Sequence, residues 1–126
     1  MKLEFLYTPV KDLQAALALY RDALGWHEAW REGDSTVSLK LPGTEVQLML
    51  DEIQPATGVG PIFVVESVER FHADRPSELG VREEPQEIPG GFLATYEDAS
   101  GNPIYVMDQS LDASGAQAAS GAAEAV

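Results

Sequence analysis

Trp26 and Trp30 flank Glu28 at strand spacing, and two aromatic faces beside a carboxylate can hold a cationic or stacked ligand. Phe92 and Tyr96 repeat the aromatic half of that pattern further on. The two histidines, His27 and His72, fall on different expected elements and are read as surface or packing residues. There is no cysteine, which excludes thiolate metal sites, redox chemistry and cysteine nucleophiles. Gly58, Gly60 and Gly90-Gly91 do not link a strand to a helix as a phosphate loop requires, and no nucleophile elbow or spaced triad is present. Glu83-Glu84 and Glu87 read as a solvated strand edge.

The elements that position these groups come in two similar runs. FLYTPV at Phe5–Val10 is restated as GPIFVV at Gly60–Val65, and each copy continues into a helical pattern ending in Leu-Gly. The spacing from Val10 to Val65 equals that from Leu24 to Leu79. In the first run, a strand over Leu3–Thr8 precedes an Asp12 cap and the stripe Leu13, Ala16, Leu17, Tyr20 and Leu24. Strands over Trp26–Arg31, Thr36–Leu41 and Glu45–Leu50 follow, separated by Gly33-Asp34 and Pro42-Gly43. In the second run, a strand over Pro61–Val65 precedes a Ser67 cap and a helix that Pro76 should stop near Arg75. Val81–Ile88, Gly91–Glu97 and Pro103–Asp108 complete it.

The fold class expected is α+β: two tandem βαβββ modules, 1–51 and 60–109, in a single domain 1–109. Their curved mixed sheets should form an open cleft with the helices on the outer face. Residues 52–59 read as a linker, and 110–126 as a low-complexity tail rich in Ala, Ser and Gly. With 126 residues the chain can bury a core without a metal or disulfide staple. Its 21 acidic and 8 basic residues give a net charge of −13, which opposes a nucleic-acid partner and favours a cationic one. No apolar run is long enough to span a membrane and no export signal is visible, so a cytoplasmic protein is expected.

The two βαβββ modules, the V-x-D-L turn at Val10–Leu13, the Leu-Gly helix end and EDASGNPI at Glu97–Ile104 resemble the vicinal-oxygen-chelate superfamily. That grouping includes glyoxalase I, bleomycin-resistance proteins, fosfomycin-resistance enzymes and extradiol dioxygenases. The resemblance covers about residues 2–109 and speaks to fold more than activity. Enzymes of this family chelate a divalent metal from one inner position in each of four strands. By the resemblance those positions are Phe5, Gln47, Gly60 and Tyr105, and none is His, Asp or Glu.

Strand alternation then lines the inner face with Phe5 and Tyr7, Glu45, Gln47 and Met49, Ile62 and Val64, and Tyr105 and Met107. This aromatic, methionine-rich lining suits a bulky or planar guest. The binding residues expected are Phe5, Tyr7, Trp26, Trp30, Glu45, Gln47, Met49, Ile62, Phe92, Tyr105 and Met107, with no catalytic residue, metal or cofactor. The resemblance implies a bleomycin-resistance-like binding protein, acting as a homodimer, that sequesters a cationic or aromatic antibiotic-like molecule. One alternative is a divalent-metal-dependent glyoxalase-like lyase, isomerase or dioxygenase using Glu45, Glu97 or His27. Another is a non-catalytic partner protein whose cleft is filled.

Overall fold

The computed structural model describes residues 1–52 and 58–111. Most of the expected linker and the tail from residue 112 lie outside the described residues. The chain divides into two compact units, one of Glu4–Pro61 and the other of Met1–Leu3 with the chain from Ile62 on. The fold is α+β, and each unit is built on a βαβββ module.

In the first unit, β1 (Lys2–Val10) leads to a helix α1 (Leu13–Leu17), then to β2 (Glu28–Glu32), β3 (Thr36–Lys40) and β4 (Gln47–Glu52). The strands lie in the order β2-β3-β4-β1, with β1 parallel to β4 and the other pairs antiparallel. Asp12 caps α1 by accepting from the Ala15 N–H at 3.1 Å. Glu52 accepts from the Leu13 N–H at 2.8 Å, so a strand-end carboxylate satisfies a second orphan donor. Leu13 and Leu17 pack on Val37, Leu39, Leu48 and Leu50, all from one sheet face.

The expected helical stripe holds only as far as Tyr20. Ala18–Ala23 is a π-helical turn, in which the Leu24 N–H reaches the Leu19 carbonyl at 2.9 Å. The extra residue per turn carries Leu24 off the stripe, and it is 51% exposed. Gly25 follows with φ +80°, a conformation that favours glycine.

In the second unit, β5 (Gly60–Val64) leads to a helix α2 (Val68–Asp74), then to β6 (Gly80–Ile88), β7 (Gly91–Glu97) and β8 (Pro103–Met107). The order is β5-β8-β7-β6, again with one parallel pair, β5 with β8. Ser67 caps α2 through the Arg70 N–H at 3.1 Å. The helix stops at Asp74 and Arg75 is extended, as the residue before Pro76 must be. Val68, Ala94, Tyr96 and Val106 form the core beneath α2, with Phe71, Val81, Phe92 and Ile104 packed against it.

Candidate functional site

The sheet of the first unit has one apolar face under α1 and one face turned away from it. β1 to β4 register sets Phe5 beside Gln47 and Tyr7 beside Met49, while β3 sets Ser38 beside Met49 and Thr36 beside Asp51. Trp30 is level with Ser38 on β2. The Phe5 and Trp30 rings, from the two outermost strands of this unit, meet edge to face at 5.9 Å. A contact of this kind contributes about 1 kcal/mol beyond area burial. Phe5 is 2% exposed and so serves as floor rather than lining.

Polar groups converge on this face at two places. Tyr7 Oη donates to Asp51 Oδ2 at 2.5 Å, and Thr36 Oγ1 donates to Asp51 Oδ1 at 2.8 Å. Ser38 Oγ donates to Gln47 Oε1 at 2.7 Å. With its oxygen engaged, Gln47 presents its amide N–H groups as donors. The buried Nε1 of Trp30 has no hydrogen-bond partner among the described residues.

The face of the second unit away from α2 carries Ile62, Tyr105, Met107 and Thr95 by register. Ile62 and Tyr105 are each 2% exposed, so they too are core residues, while Met107 is half-buried.

Five of the expected binding residues therefore share one face of the first unit: Phe5, Tyr7, Trp30, Gln47 and Met49. Three, Ile62, Tyr105 and Met107, share the corresponding face of the second. The other three are displaced. Trp26 precedes β2 and stacks on Tyr20 at 5.5 Å against the core under α1. A bulge between Glu28 and Trp30 breaks the assumed period-two alternation. Phe92 packs beneath α2 with Tyr96, on the helix side. Glu45 lies in the exposed loop before β4, because that strand begins at Gln47 rather than at Glu45.

The carboxylate expected beside the tryptophans is also taken. Glu28 pairs with Arg31 at 2.9 Å and with Arg21 at 3.5 Å. Its carboxyl is held below the usual range, chiefly by the hydrogen bond from Arg31. Asp51 takes its place as the carboxylate of this face. It falls just beyond the strand expected over Glu45–Leu50, yet it has the same strand parity as Gln47 and Met49, a signal present in the sequence. Thr36 and Ser38 were equally legible as the polar partners of Val37 and Leu39 in an alternating strand.

The histidines have defined places. His27 is exposed ahead of β2. His72 on α2 is pinned between Tyr96 Oη at 2.7 Å through Nδ1 and Glu84 Oε1 at 2.9 Å through Nε2. Glu84 therefore has a bonding role that its reading as a solvated edge did not include.

The sequence profile of the Glyoxalase/Bleomycin resistance protein/Dioxygenase superfamily matches residues 3–106. The chain belongs to that superfamily. No functionally curated protein matches the sequence. Among solved structures, the chain is similar to one described as the NAD-dependent benzaldehyde dehydrogenase of Legionella pneumophila, at 18% identity and TM-score 0.70, covering 83% of this chain and 97% of that one. A superfamily member from Vibrio splendidus is 18% identical with TM-score 0.57, over 82% and 96% of the two chains. A Streptomyces coelicolor methylmalonyl-CoA epimerase variant, solved with 2-nitronate-propionyl-CoA, is 18% identical with TM-score 0.64, over 86% and 97%. At these identities the likeness concerns the fold.

The superfamily resemblance implies a divalent metal, and the residues at its four positions do not fit one. Register pairs Phe5 with Gln47, and pairs Tyr105 with Ile62 rather than with Gly60. The repeat was aligned on the turn and cap, where Asp12 to Ser67 spans 67 − 12 = 55 positions. Along the paired strands Phe5 to Ile62 spans 62 − 5 = 57, because the first strand-to-helix segment is two residues longer. Phe and Ile offer no donor, Gln47 is a neutral oxygen already hydrogen-bonded, and Tyr105 is a buried phenol. The alternative donors are dispersed: Glu45 and His27 are exposed outside the strands, and Glu97 pairs with Arg82 at 3.0 Å. Among the described residues no group of three or more His, Asp or Glu could hold a metal ion. No helix among them is long and apolar enough to cross a membrane.

Proposed function

We propose that the chain is a small-molecule-binding member of its superfamily, of the bleomycin-resistance type, which sequesters a cationic or aromatic, antibiotic-like ligand without a resident metal. The observation that carries this reading is the set Phe5, Gln47, Ile62 and Tyr105 at the family's donor positions. In their place, the first unit offers a half-buried face with aromatic and methionine surface and a few convergent polar groups, the composition of a ligand pocket. The net charge of −13 supports a cationic guest. A homodimer is part of the proposal, and sedimentation velocity on the purified chain tests it. A cysteine-free sequence supports the cytoplasm as its compartment.

The deciding experiment is metal analysis of the purified protein followed by thermal-shift titration with Ni, Zn, Mn and Fe(II). The expected result is no stoichiometric metal and no saturable stabilisation by any ion. A screen of cationic aromatic compounds should then raise the melting temperature, since a ligand at 100 times its Kd stabilises the native state by about 2.7 kcal/mol. Near-stoichiometric metal, or one ion that saturates, would overturn the proposal in favour of a metal-dependent enzyme.

A further inference from the structure

In the second unit a histidine stands between a buried phenol and an exposed carboxylate, and those two neighbours fix where its protons go. Glu84 Oε1 on β6 lies 2.9 Å from His72 Nε2, and an ionised carboxylate only accepts, so Nε2 carries hydrogen. A neutral imidazole has one N–H, which leaves Nδ1 an acceptor. The 2.7 Å contact on that side is therefore a bond donated by Tyr96 Oη, from β7. Tyr96 is fully buried, and among the described residues its hydroxyl bonds to His72 alone.

A second proton on the ring reverses one of these bonds. Both nitrogens of an imidazolium are donors, so Nδ1 can meet Tyr96 Oη only by donating to it. The phenol hydrogen is then left in the core without an acceptor. The gain at Glu84 is the smaller effect, because its side chain is 74% exposed and an ion pair in water contributes little. Glu69 and Arg75 stand one turn to either side of His72 on α2 with opposite charges, and Arg75 donates to the His72 carbonyl. On β6, Arg82 pairs with Glu97 of β7, and Glu83 accepts from Gln86. Asp108, past β8, holds the other end of the helix through the Val68 N–H.

Val68 and Asp108 thus anchor the first turn of α2 in the core, and Phe71 rests on the Tyr96 ring at 5.6 Å. Among the described residues, the side-chain hydrogen bonds that tie α2 to its strands are those of His72. The helix ends two residues later, at Asp74. We propose that His72 is a proton-operated latch on the last turn of α2: the singly protonated ring closes it, and a second proton opens it. The competing account makes His72 a packing residue whose ties are indifferent to its charge.

The test is made on the full ¹⁵N-labelled chain. Long-range ¹H–¹⁵N spectra of the imidazole at about pH 8 should show hydrogen on Nε2 and none on Nδ1. Between about pH 8 and pH 5, where histidine changes charge, amide protection at His72, Ala73 and Asp74 should fall at least about fivefold after correction for intrinsic exchange. Protection at Leu39 and Val106, in the cores of the two units, should hold over the same range. Tyr96→Phe keeps the Glu84 bond and has no phenol hydrogen to strand, so the acid loss should vanish. Glu84→Gln keeps an acceptor but removes the charge that favours the imidazolium, so the loss should grow. Hydrogen on Nδ1 at pH 8, or protection at residues 72–74 that holds or rises at pH 5, would overturn the latch. So would a Tyr96→Phe chain that still loosens in acid. The first two readouts are made on the wild type and do not depend on any variant folding.

Discussion

Asp51 in the first unit and Asp108 in the second both stand at the C-terminal end of the strand that pairs in parallel with their module's first strand, one on the face away from its module's helix and the other on the face beneath its own. Asp51 has the parity of Gln47 and Met49 and faces away from α1. Asp108 has the parity of Ile104 and Val106 and lies beneath α2, where it is 2% exposed. There Oδ2 accepts from the Val68 N–H at 2.7 Å, and Oδ1 accepts from the Phe92 N–H at 3.0 Å and the Ser110 hydroxyl at 2.9 Å. The buried carboxylate is thus satisfied by two backbone N–H groups and one hydroxyl, and staples the helix, the hairpin and the segment that follows β8 together. The half-buried one accepts from two side-chain hydroxyls, those of Tyr7 and Thr36. One residue of phase along a strand separates an acid buried beneath its helix from a half-buried one on the face away from it, because successive side chains take opposite faces.

The sharpest break in this comparison comes from removing each carboxylate. Asp108→Ala strands the Val68 and Phe92 donors in the core and should cost about 3–5 kcal/mol, whereas Asp51→Ala, with water able to reach both hydroxyls, should cost about 1 kcal/mol or less. Urea unfolding of the two variants measures both, and equal losses would show that Asp51 is a second staple. Gly91→Ala attacks the same staple from the other side. A Cβ there would stand 2.1 Å from the Asp108 carbonyl oxygen, so backbone must move, and a loss of about 3 kcal/mol is expected by the same assay.

A smaller effect should separate the helix sides of the two units. Tyr96 is fully buried and bonded to His72, and burial is the chief cause that raises its phenol above the usual 10.0. The folded form therefore holds its proton while the unfolded chain loses it. The stability from this group is whole below pH 10 and falls as pH rises toward the folded value. Melting temperatures between neutral and alkaline pH should show that decline, and Tyr96→Phe should flatten it at the cost of one hydrogen bond, about 1 kcal/mol. The first unit supplies the smallest effect. Leu24→Ala should change stability by no more than about 0.5 kcal/mol, since the π turn leaves it exposed, against about 2–5 kcal/mol for Leu17→Ala one helix face away.

Much of this was legible in the residues. The strand alternations, the Asp12 and Ser67 caps and the stop at Pro76 all act over a few residues, and each reappears in the structure within about two residues of its expected place. The helical stripe failed at Leu24 because a π turn is stabilised by a bond from residue 24 back to residue 19, which apolar spacing alone does not report. Trp26 and Trp30 were joined into one face because the bulge that parts them depends on pairing with β3. Glu45 was counted into β4, and Asp51 out of it, because the strand end is set by hydrogen bonds from neighbouring strands rather than by its own composition.

The sequence by itself determined the two-module α+β organisation and the types of residue at the family's donor positions, since alternation, caps and breakers are local and residue identity is chemistry. Only the tertiary structure decided which of Glu28 and Asp51 forms no ion pair among the described residues. Glu28 loses that role to guanidinium groups brought from the π turn and from its own strand, while Asp51 is met by hydroxyls from β1 and β3. Charge compensation depends on which side chains arrive through space, and register between strands far apart in the chain sets that arrival.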